Sequence, residues 1–295
     1  MPGVESMKIR FGYEMVFGSA MSTPAVLLLN AAPNATQRLL VPDFMHTDPI
    51  VPLATYQDTF GNLCTRLEFP AGSIRISADG LLEDSGEPEA ASWNASETPI
   101  AALPHDALRY LLPSRYCESD LLASEALRLF GHLTPGWSRV QAICDFVNQH
   151  VTFGYQFARY TKTALETYQE RQGVCRDLAH LAIAFCRALN IPARYATGYL
   201  GDIGVPPVAA PMDFAGCMEV FLEGAWHTFD PRNNARRIGR LMIARGCDAA
   251  DVAISTSFGA SYLQLFRVWT DEIDDHQAAA IQAQHRAPQA GTWAA

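Results

Sequence analysis

Residues 172–200 constrain this chain more than any other stretch, because they predict a helix that begins at a cysteine and leads into a strand. Apolar residues recur at helical spacing from Leu178 onward, and Cys175 lies one turn before Leu178 on the same stripe. Pro192 predicts the end of the helix, and residues 193–199 predict a strand. The pattern therefore places a thiol at the amino end of a helix, on the side that faces the core.

A thiol in this position has two interpretations. Unpaired backbone N–H groups and the positive end of the helix dipole stabilise a thiolate, which is the nucleophilic form of cysteine. The same N–H groups can hold the oxyanion that develops during acyl transfer. Alternatively, Cys175 is a buried structural cysteine, because free cysteines are among the most buried residue types. Position alone leaves both interpretations open.

Other motifs accompany the cysteine in a fixed order. Residues 173–180 read GVCRDLAH and are followed by IPARY at 191–195, while residues 212–234 begin with MDF and end with WHTFDPRNN. Together these segments resemble the bacterial transglutaminase-like superfamily of cysteine proteases. The resemblance implies a papain-like enzyme with a Cys-His-Asp triad, in which Cys175 is the nucleophile and Asp230 orients the base.

The chain departs from this family at the position of the catalytic base. Where relatives have a histidine after the Asp-Phe pair, this sequence has Ala215, which cannot accept a proton. A two-residue turn at 223–224 predicts a hairpin in which His227 points away from Cys175. His180 lies on a different face of the helix from the thiol and is expected to have a structural role. The base is therefore unidentified.

Several neighbours of these motifs are candidates for supporting roles. Arg176 could aid thiolate formation, and Asp177 could cap the first helical turn or pair with Arg194, although structural roles are favoured for both charged neighbours of the thiol. Cys217 either fills space left by the missing histidine or joins the nucleophile and the orienting carboxylate in a soft-metal or redox site. Two thiols and one carboxylate form an incomplete ligand set, which favours the first alternative. The supporting candidates are Arg176, Asp177, Tyr199, Cys217, His227 and Asn233.

Composition narrows the class of protein. The net charge of −9 and the lack of a basic cluster argue against nucleic-acid binding. Seven scattered cysteines without a CxxC pair argue against a disulfide framework or a structural zinc site, and they favour a reducing, cytoplasmic location. No signal-peptide pattern and no membrane-length apolar run is evident in the sequence, so we expect no membrane association. We also expect no cofactor and no required metal.

The order of the predicted elements indicates an α+β chain with two domains. Short alternating strands over residues 1–85 predict an antiparallel β-sandwich. Acidic, Ser and Pro residues at 86–110 predict a linker. Residues 111–273 resemble the papain-like, transglutaminase-like catalytic domain, and the Ala- and Gln-rich residues 274–295 predict a flexible tail.

Two functions follow from this sequence. In the first, Cys175 attacks a peptide or protein amide, forms a thioester and passes the acyl group to water or an amine, at a rate reduced by the missing histidine. In the second, the chain is an inactive pseudo-enzyme that uses the cleft to bind a peptide or protein. Loss of the histidine favours binding, whereas retention of Cys175 and Asp230 favours catalysis. The oligomeric state is left open.

Overall fold

The computed structural model describes residues 6–208 and 212–286, which contain five α-helices and fifteen strands. The helices are α1 (Ala123–Phe130), α2 (Trp137–His150), α3 (Ala164–Glu170), α4 (Cys175–Ala188) and α5 (Asp275–Arg286). The strands are β1 (Met7–Ser19), β2 (Thr23–Leu27), β3 (Arg38–Val41), β4 (His46–Asp48), β5 (Ala54–Gln57), β6 (Leu63–Phe69), β7 (Gly72–Asp84), β8 (Thr152–Phe153), β9 (Gln172–Gly173), β10 (Ala193–Tyr199), β11 (Ala215–Leu222), β12 (Ala225–Phe229), β13 (Leu241–Gly246), β14 (Ser255–Ser257) and β15 (Ser261–Ile273).

Three antiparallel sheets and a short parallel pair organise these strands. The long sheet has the order β15-β1-β7-β3, with β4 also paired to β7, and the short sheet has the order β14-β2-β6-β5. The third sheet, β12-β11-β10-β13, supports α4, and β8 pairs with β9 in parallel. The α+β class predicted from the sequence, with antiparallel sheets beside a helical region, is confirmed.

The sequence predicts two of the helices that surround α4 with their observed bounds. These are α2, which follows Pro135, and α3, which Thr163 caps through a capping box with Glu166. The sequence also predicts a helix from Asp120 to Phe130 with Ser119 as its N-cap, but α1 begins only at Ala123. Alternating inward residues of β1 and β7 join the stripe of α4 in one apolar core. None of the described helices combines the length and the apolar content that a membrane crossing requires.

The hairpin of β11 and β12 has the register predicted from its turn. Leu222 pairs with Ala225 and Val220 pairs with His227. The turn residues Glu223 and Gly224 both have positive φ, at 48° and 80°, which is the geometry of tight two-residue hairpin turns. The register fixes which side chains share a face, so the positions of the candidate residues on this hairpin follow from it.

The sheet topology departs from the predicted domain division. The last long strand, β15, pairs with β1 from Lys8↔Ile273 to Ser19↔Ser261, and β14 pairs with β2. Both late strands therefore belong to the sheets of the N-terminal part of the chain rather than to a catalytic domain ending at residue 273. Alternation in the sequence predicts that β15 is a strand but does not specify its partner.

The predicted linker and tail also differ from expectation. Residues 86–110 contain buried Ala95 and Ala107, and Ala95 accepts a backbone hydrogen bond from Trp137 at the start of α2. This segment is fixed against the helices rather than extended through solvent. In the predicted tail, α5 buries Ala278 in a small apolar cluster with strands β3 and β7, because alanines place an apolar stripe on one face. Residues 287–295 lie outside the described part.

Aromatic side chains join the long sheet to the α4 sheet. Phe11 of β1 meets Tyr199 of β10 at 5.1 Å between ring centroids, and Tyr199 meets Phe214 at the same distance. Phe214 in turn meets Phe266 of β15 at 5.9 Å. Edge-to-face contacts of this kind add to the stabilisation that comes from apolar burial. The two sheets are therefore held together beside the start of β11.

A glycine allows the two sheets to approach closely. A Cβ at Gly201 would lie 2.3 Å from the carbonyl oxygen of Thr270 in β15. Gly201→Ala should lower the free energy of unfolding by about 1–3 kcal/mol, because overpacking displaces backbone that cannot move freely. Urea unfolding checks this value. Gly224→Ala is the comparison, since its Cβ meets nothing within 4 Å and only its positive φ is strained. Unchanged stability of Gly201→Ala would contradict the close contact.

Candidate active site

The first turn of α4 is fixed by a buried carboxylate. Asp177 is completely buried, and its Oδ2 accepts a hydrogen bond from the backbone N–H of Val174 at 3.0 Å. Its Oδ1 pairs with Arg176 at 2.8 Å. A negative charge at this end also complements the helix dipole. Cys175, the first residue of the helix, is thereby held in one orientation and remains partly exposed.

The contacts of these neighbours decide between the predicted roles. Asp177 caps the helix as one alternative predicted, but the predicted pairing with Arg194 is wrong. Arg194 pairs with Glu219 at 2.7 Å, because the two residues lie opposite each other in the β10–β11 register. Arg176 also donates to the carbonyl of Arg159 at 2.6 Å. Its guanidinium is therefore engaged by Asp177 and by this carbonyl.

Cys175 lies where two cavities meet. The small cavity has a volume of about 110 Å³, and the large cleft has a volume of about 580 Å³. Tyr155, Cys175, Asp213 and Phe214 line both. Cys175 thus borders both cavities and is partly exposed, which agrees with the nucleophile interpretation rather than with a sealed structural cysteine. Pockets next to a reactive group are the usual location of an active site.

The environment of the thiol does not stabilise its charged form overall. Burial raises the pKa of Cys175 above the ordinary value, and the negative charges of Asp213 and Asp230 raise it further. The backbone N–H groups of Gly216 and Arg176 act in the opposite direction, but they do not outweigh burial. The stabilising effect of the helix terminus on the thiolate is therefore smaller than the effect of burial at this site. Cys175 needs a proton acceptor.

No histidine occupies the position of that acceptor. Ala215 and Gly216 line the small cavity beside Cys175. Within the described part of the chain, no histidine lines either the small cavity or the large cleft. That Ala215 stands in place of a catalytic histidine stays a prediction.

The two histidines considered from the sequence have structural surroundings. His180 is completely buried, and its Nε2 accepts the N–H of Ala249 at 3.1 Å. Burial lowers the pKa of His180 to about 3, so the ring is neutral at pH 7. His227 meets Trp137 of α2 at 5.5 Å between ring centroids, and its Nε2 lies 3.3 Å from the carbonyl oxygen of Leu222. His227 lines neither cavity beside Cys175.

Asp230 is saturated with hydrogen-bond donors. Its Oδ2 accepts from Arg240 at 2.6 Å and from the side-chain amide of Asn233 at 2.7 Å. Its Oδ1 accepts from the backbone N–H groups of Arg232 and Asn233. Burial alone would raise the pKa of Asp230, but the charge of Arg240 and the donors of Asn233 outweigh it and lower the pKa. The carboxylate of Asp230 is therefore bound by structural partners. An aspartate that orients a catalytic histidine would instead have an oxygen free to accept a hydrogen bond from that histidine.

The remaining supporting candidates divide between the cavity and the core. Asn233 lines the small cavity while holding Asp230. Cys217 is buried in a small cluster with Ala196 and Met242, and it lines neither cavity. Tyr199 is buried between aromatic rings and also lines neither cavity. The packing of Cys217 agrees with the space-filling alternative rather than with a shared site at Cys175.

Sequence reasoning missed two residues beside the thiol. Asp213 lines both cavities, and burial raises the pKa of its carboxyl. Burial is the main reason why the pKa of Tyr155 is raised. The charges of Cys175 and Asp213 also raise it, which indicates that the tyrosine hydroxyl lies near both groups. One signal in the sequence was available, because Asp213 stands two positions before Ala215. The tyrosine follows Gly154 in a loop segment that carries no comparable signal.

The fold and this thiol site define a protein of the thiol-enzyme kind. Residues 126–231 match the family model of the transglutaminase-like superfamily, so the chain contains a transglutaminase-like domain. This match includes Cys175, Ala215 and Asp230.

One solved structure agrees with this assignment. The chain is similar to a "putative cysteine protease" from Cytophaga hutchinsonii, with 29% identity, coverage of 92% of both chains and a TM-score of 0.79. It is 23% identical to an uncharacterized protein from Mycobacterium leprae, covering 80% of this chain and 88% of that protein. The periplasmic domain of TgpA from Pseudomonas aeruginosa is more distant, with 17% identity, coverage of 76% and 90%, and a TM-score of 0.39.

Removing the carboxylate of Asp230 should destabilise the fold. Asp230→Ala removes one of the two carboxylates that pair with buried Arg240, the other being Glu89, and it leaves the N–H donors of Asn233 without their acceptor, which should cost about 3 kcal/mol. Because the folded pKa of Asp230 is lowered, its contribution is present above the ordinary carboxyl pKa and disappears as the pH falls through the folded value. The effect should therefore be largest near neutral pH in urea unfolding.

A control substitution shows whether the loss of stability is specific to Asp230 or follows from removing any paired carboxylate. Asp79 is partly exposed, and it accepts from Arg10 at 2.9 Å and from the indole N–H of Trp269 at 3.0 Å, so Asp79→Ala should cost about 1 kcal/mol. Equal effects of the two substitutions would contradict the structural role of Asp230.

Proposed function

We propose that the protein is a slow thiol acyltransferase or amide hydrolase that forms a thioester at Cys175 with a peptide or protein substrate. The observation that carries this proposal is a partly exposed thiol at the first residue of α4, where two cavities meet. A structural cysteine needs no such access. The similarity to a "putative cysteine protease" supports a peptide or protein as the substrate.

The proposed chemistry proceeds in two steps. The sulfur of Cys175 gives up its proton and attacks the substrate carbonyl carbon, so that a C–S bond forms and the C–N bond then breaks. The leaving amine takes a proton, and the acyl group remains as a thioester. Water or a second amine then attacks the thioester, releases the acyl product and returns the proton to the sulfur. Backbone N–H groups at the start of α4 can stabilise the oxyanion in both steps.

The missing imidazole explains why turnover is expected to be slow. Burial holds the thiol pKa above its ordinary value, and no histidine lines its cavities in the described residues. General-base catalysis typically contributes a factor of about 10²–10⁴ to rate. A chain that lacks the matched base retains the nucleophile and the oxyanion donors but loses much of this factor.

A second candidate is a pseudo-enzyme that binds a peptide without converting it. The observation that favours it is the saturation of Asp230 by Arg240 and Asn233, because this leaves no oxygen free to orient a base. The cleft would then retain its shape for binding alone.

Acylation with p-nitrophenyl acetate distinguishes the candidates. The thioester proposal expects a burst of p-nitrophenolate, an acetyl group on Cys175 by mass spectrometry, and neither result with Cys175→Ala. Iodoacetamide alkylation across pH provides an independent measure of thiol access, and its midpoint should lie above the value of about 8.5 for free cysteine. An alkylated Cys175 that is never acylated, by the ester or by peptide amides, would support the binding module.

Restoring an imidazole should increase the rate. Ala215→His places a base in the small cavity beside Cys175, and it should raise acylation at pH 7 by roughly 10²-fold, the lower end of general-base effects. Burst kinetics measure the gain. Ala215→Gln is the matched control, because its side chain adds bulk and hydrogen bonding without a basic nitrogen. An equal gain in Ala215→His and Ala215→Gln would contradict the proposal that a catalytic histidine is missing at position 215. So would the absence of a gain in both variants.

A further inference from the structure

The large cleft beside Cys175 has walls from distant parts of the chain. Phe17 of β1 and Leu263 of β15 form a cross-strand pair on one wall, and Tyr195 of β10 belongs to another. A loop near Val252 closes the cleft. The strand β15 therefore brings the long sheet to the thiol, and the cleft exists only because that strand returns to pair with β1.

The lining of the cleft is mainly apolar and aromatic. Its charged members are Arg176, which is engaged by Asp177, and Asp213, which lies beside the thiol. At its edge, Tyr155, Tyr160 and Leu263 remain 47%, 90% and 51% exposed. Exposed aromatic rings at a rim offer contact area at low entropic cost. The volume of about 580 Å³ falls within the range of about 300–1,000 Å³ that is typical of small-ligand sites.

We propose that this cleft binds a bulky apolar side chain of the peptide acyl donor, and that the β1–β15 wall determines this preference. The inference rests on the proposed function, because it assigns the substrate class of the same nucleophile. The apolar lining continues directly to Cys175, so an occupant placed there presents its adjacent carbonyl to the sulfur. An acidic side chain in the same place would be desolvated without a free cation, because Arg176 is engaged by Asp177.

Binding can be measured without turnover. NMR titration of the Cys175→Ala protein compares acetyl-Ala-Phe-Ala-amide with acetyl-Ala-Gly-Ala-amide. The Phe peptide should bind roughly tenfold more tightly, since burial of an aromatic side chain contributes at least about 1.5 kcal/mol. Adding Leu263→Glu should reduce the preference to within about twofold, because it charges the wall.

Neighbouring residues on β15 provide the control. Tyr262 is 62% exposed and pairs with Gly18, outside the lining of the cleft, so Tyr262→Glu should leave the preference unchanged. Leu263→Ala, which removes contact area without adding charge, should give an intermediate loss. Equal binding of the two peptides, or a preference that survives Leu263→Glu, would overturn the inference. Acylation of wild-type Cys175 is scored separately, so failure of the cleft proposal and failure of the thioester proposal are distinguishable.

A second inference concerns the proton of Cys175 and rests on a different residue. Asp213 lies in the loop before β11, and it shares the linings of both the small cavity and the large cleft with Cys175 and Tyr155. Its Oδ1 accepts the N–H of Phe214 at 2.6 Å, and Phe214 is anchored between Tyr199 and Phe266. The aromatic contacts between the sheets therefore position this carboxylate beside the thiol.

We infer that Asp213 accepts the proton of Cys175 in place of the missing histidine. This inference also rests on the proposed function. The S–H bond breaks toward a carboxylate oxygen as the C–S bond forms, and the resulting carboxyl donates the proton to the leaving group. In the second step the carboxylate takes a proton from water and returns it to the sulfur. The titratable or charged groups that share its cavities are Tyr116, Tyr155, Tyr160, Cys175, Arg176, Tyr195, Asp202, Arg232 and Arg237.

Asp213→Asn separates proton transfer from simple electrostatics. Loss of a general base should slow p-nitrophenyl acetate acylation at pH 7 roughly tenfold or more. Iodoacetamide alkylation should become faster in the same variant, because the negative charge that raises the thiol pKa has been removed. The wild-type acylation rate should also fall as the pH drops through the raised pKa of Asp213, and Asp213→Asn should lack this acidic limb.

Chemical rescue provides the sharpest control. Sodium formate should partly restore acylation to Asp213→Ala, whereas sodium chloride at equal ionic strength should not. Asp202→Asn is the matched variant, because it removes a carboxylate that lines the same cavity and lies 3.6 Å from Arg237; formate should not accelerate it. If wild type is acylated and Asp213→Asn is acylated at the same rate, this inference is overturned while the thioester proposal stands. The same conclusion follows if Asp213→Asn accelerates both acylation and alkylation. Absence of wild-type acylation would overturn it together with the thioester proposal.

Discussion

The first turn of α4 depends on the carboxylate of Asp177, and the position of the thiol depends on that turn. One oxygen of Asp177 satisfies the N–H of Val174, and the other engages Arg176. This bond ties the residue before the helix back to the first turn, which is one half of a capping box, and it does so without admitting water. The backbone of Cys175 is consequently fixed where the two cavities meet.

The surroundings of Asp230 differ from those of an aspartate that orients a catalytic histidine. An orienting aspartate ordinarily shares its charge with an imidazolium, but Asp230 is neutralised by Arg240 and held by Asn233. A buried carboxylate without an imidazole must find other donors, because an unpaired buried charge is strongly unfavourable. The same residue can therefore persist in this fold for stability alone. Its presence in the sequence does not by itself indicate catalysis.

The sequence of this chain predicts local structure better than it predicts which distant strands pair with each other. The bounds of α2 and the register of the β11–β12 hairpin follow from periodicity and from a two-residue turn, which are properties of neighbouring residues. Periodicity also identifies β15 as a strand, but pairing with β1 depends on contacts across the whole chain. The direction of the thiol pKa was equally inaccessible, because it depends on the balance between burial and the carboxylates around the site.

The return of β15 to β1 connects the cleft that we propose binds substrate with the carboxylate that we propose accepts the proton. Leu263 of β15 forms part of the cleft wall, and Phe266 of the same strand contacts Phe214, the residue after Asp213. A shift of β15 would therefore widen the cleft and displace the carboxylate together, since close-packed aromatic rings transmit small movements. The two late strands complete the N-terminal sheets and also line the cleft beside Cys175, through Ser255 of β14 and through Leu263 and Phe266 of β15. A thiol enzyme without its histidine would depend on that wall more than its relatives do, because the placement of substrate and acceptor must compensate for a poorly matched base.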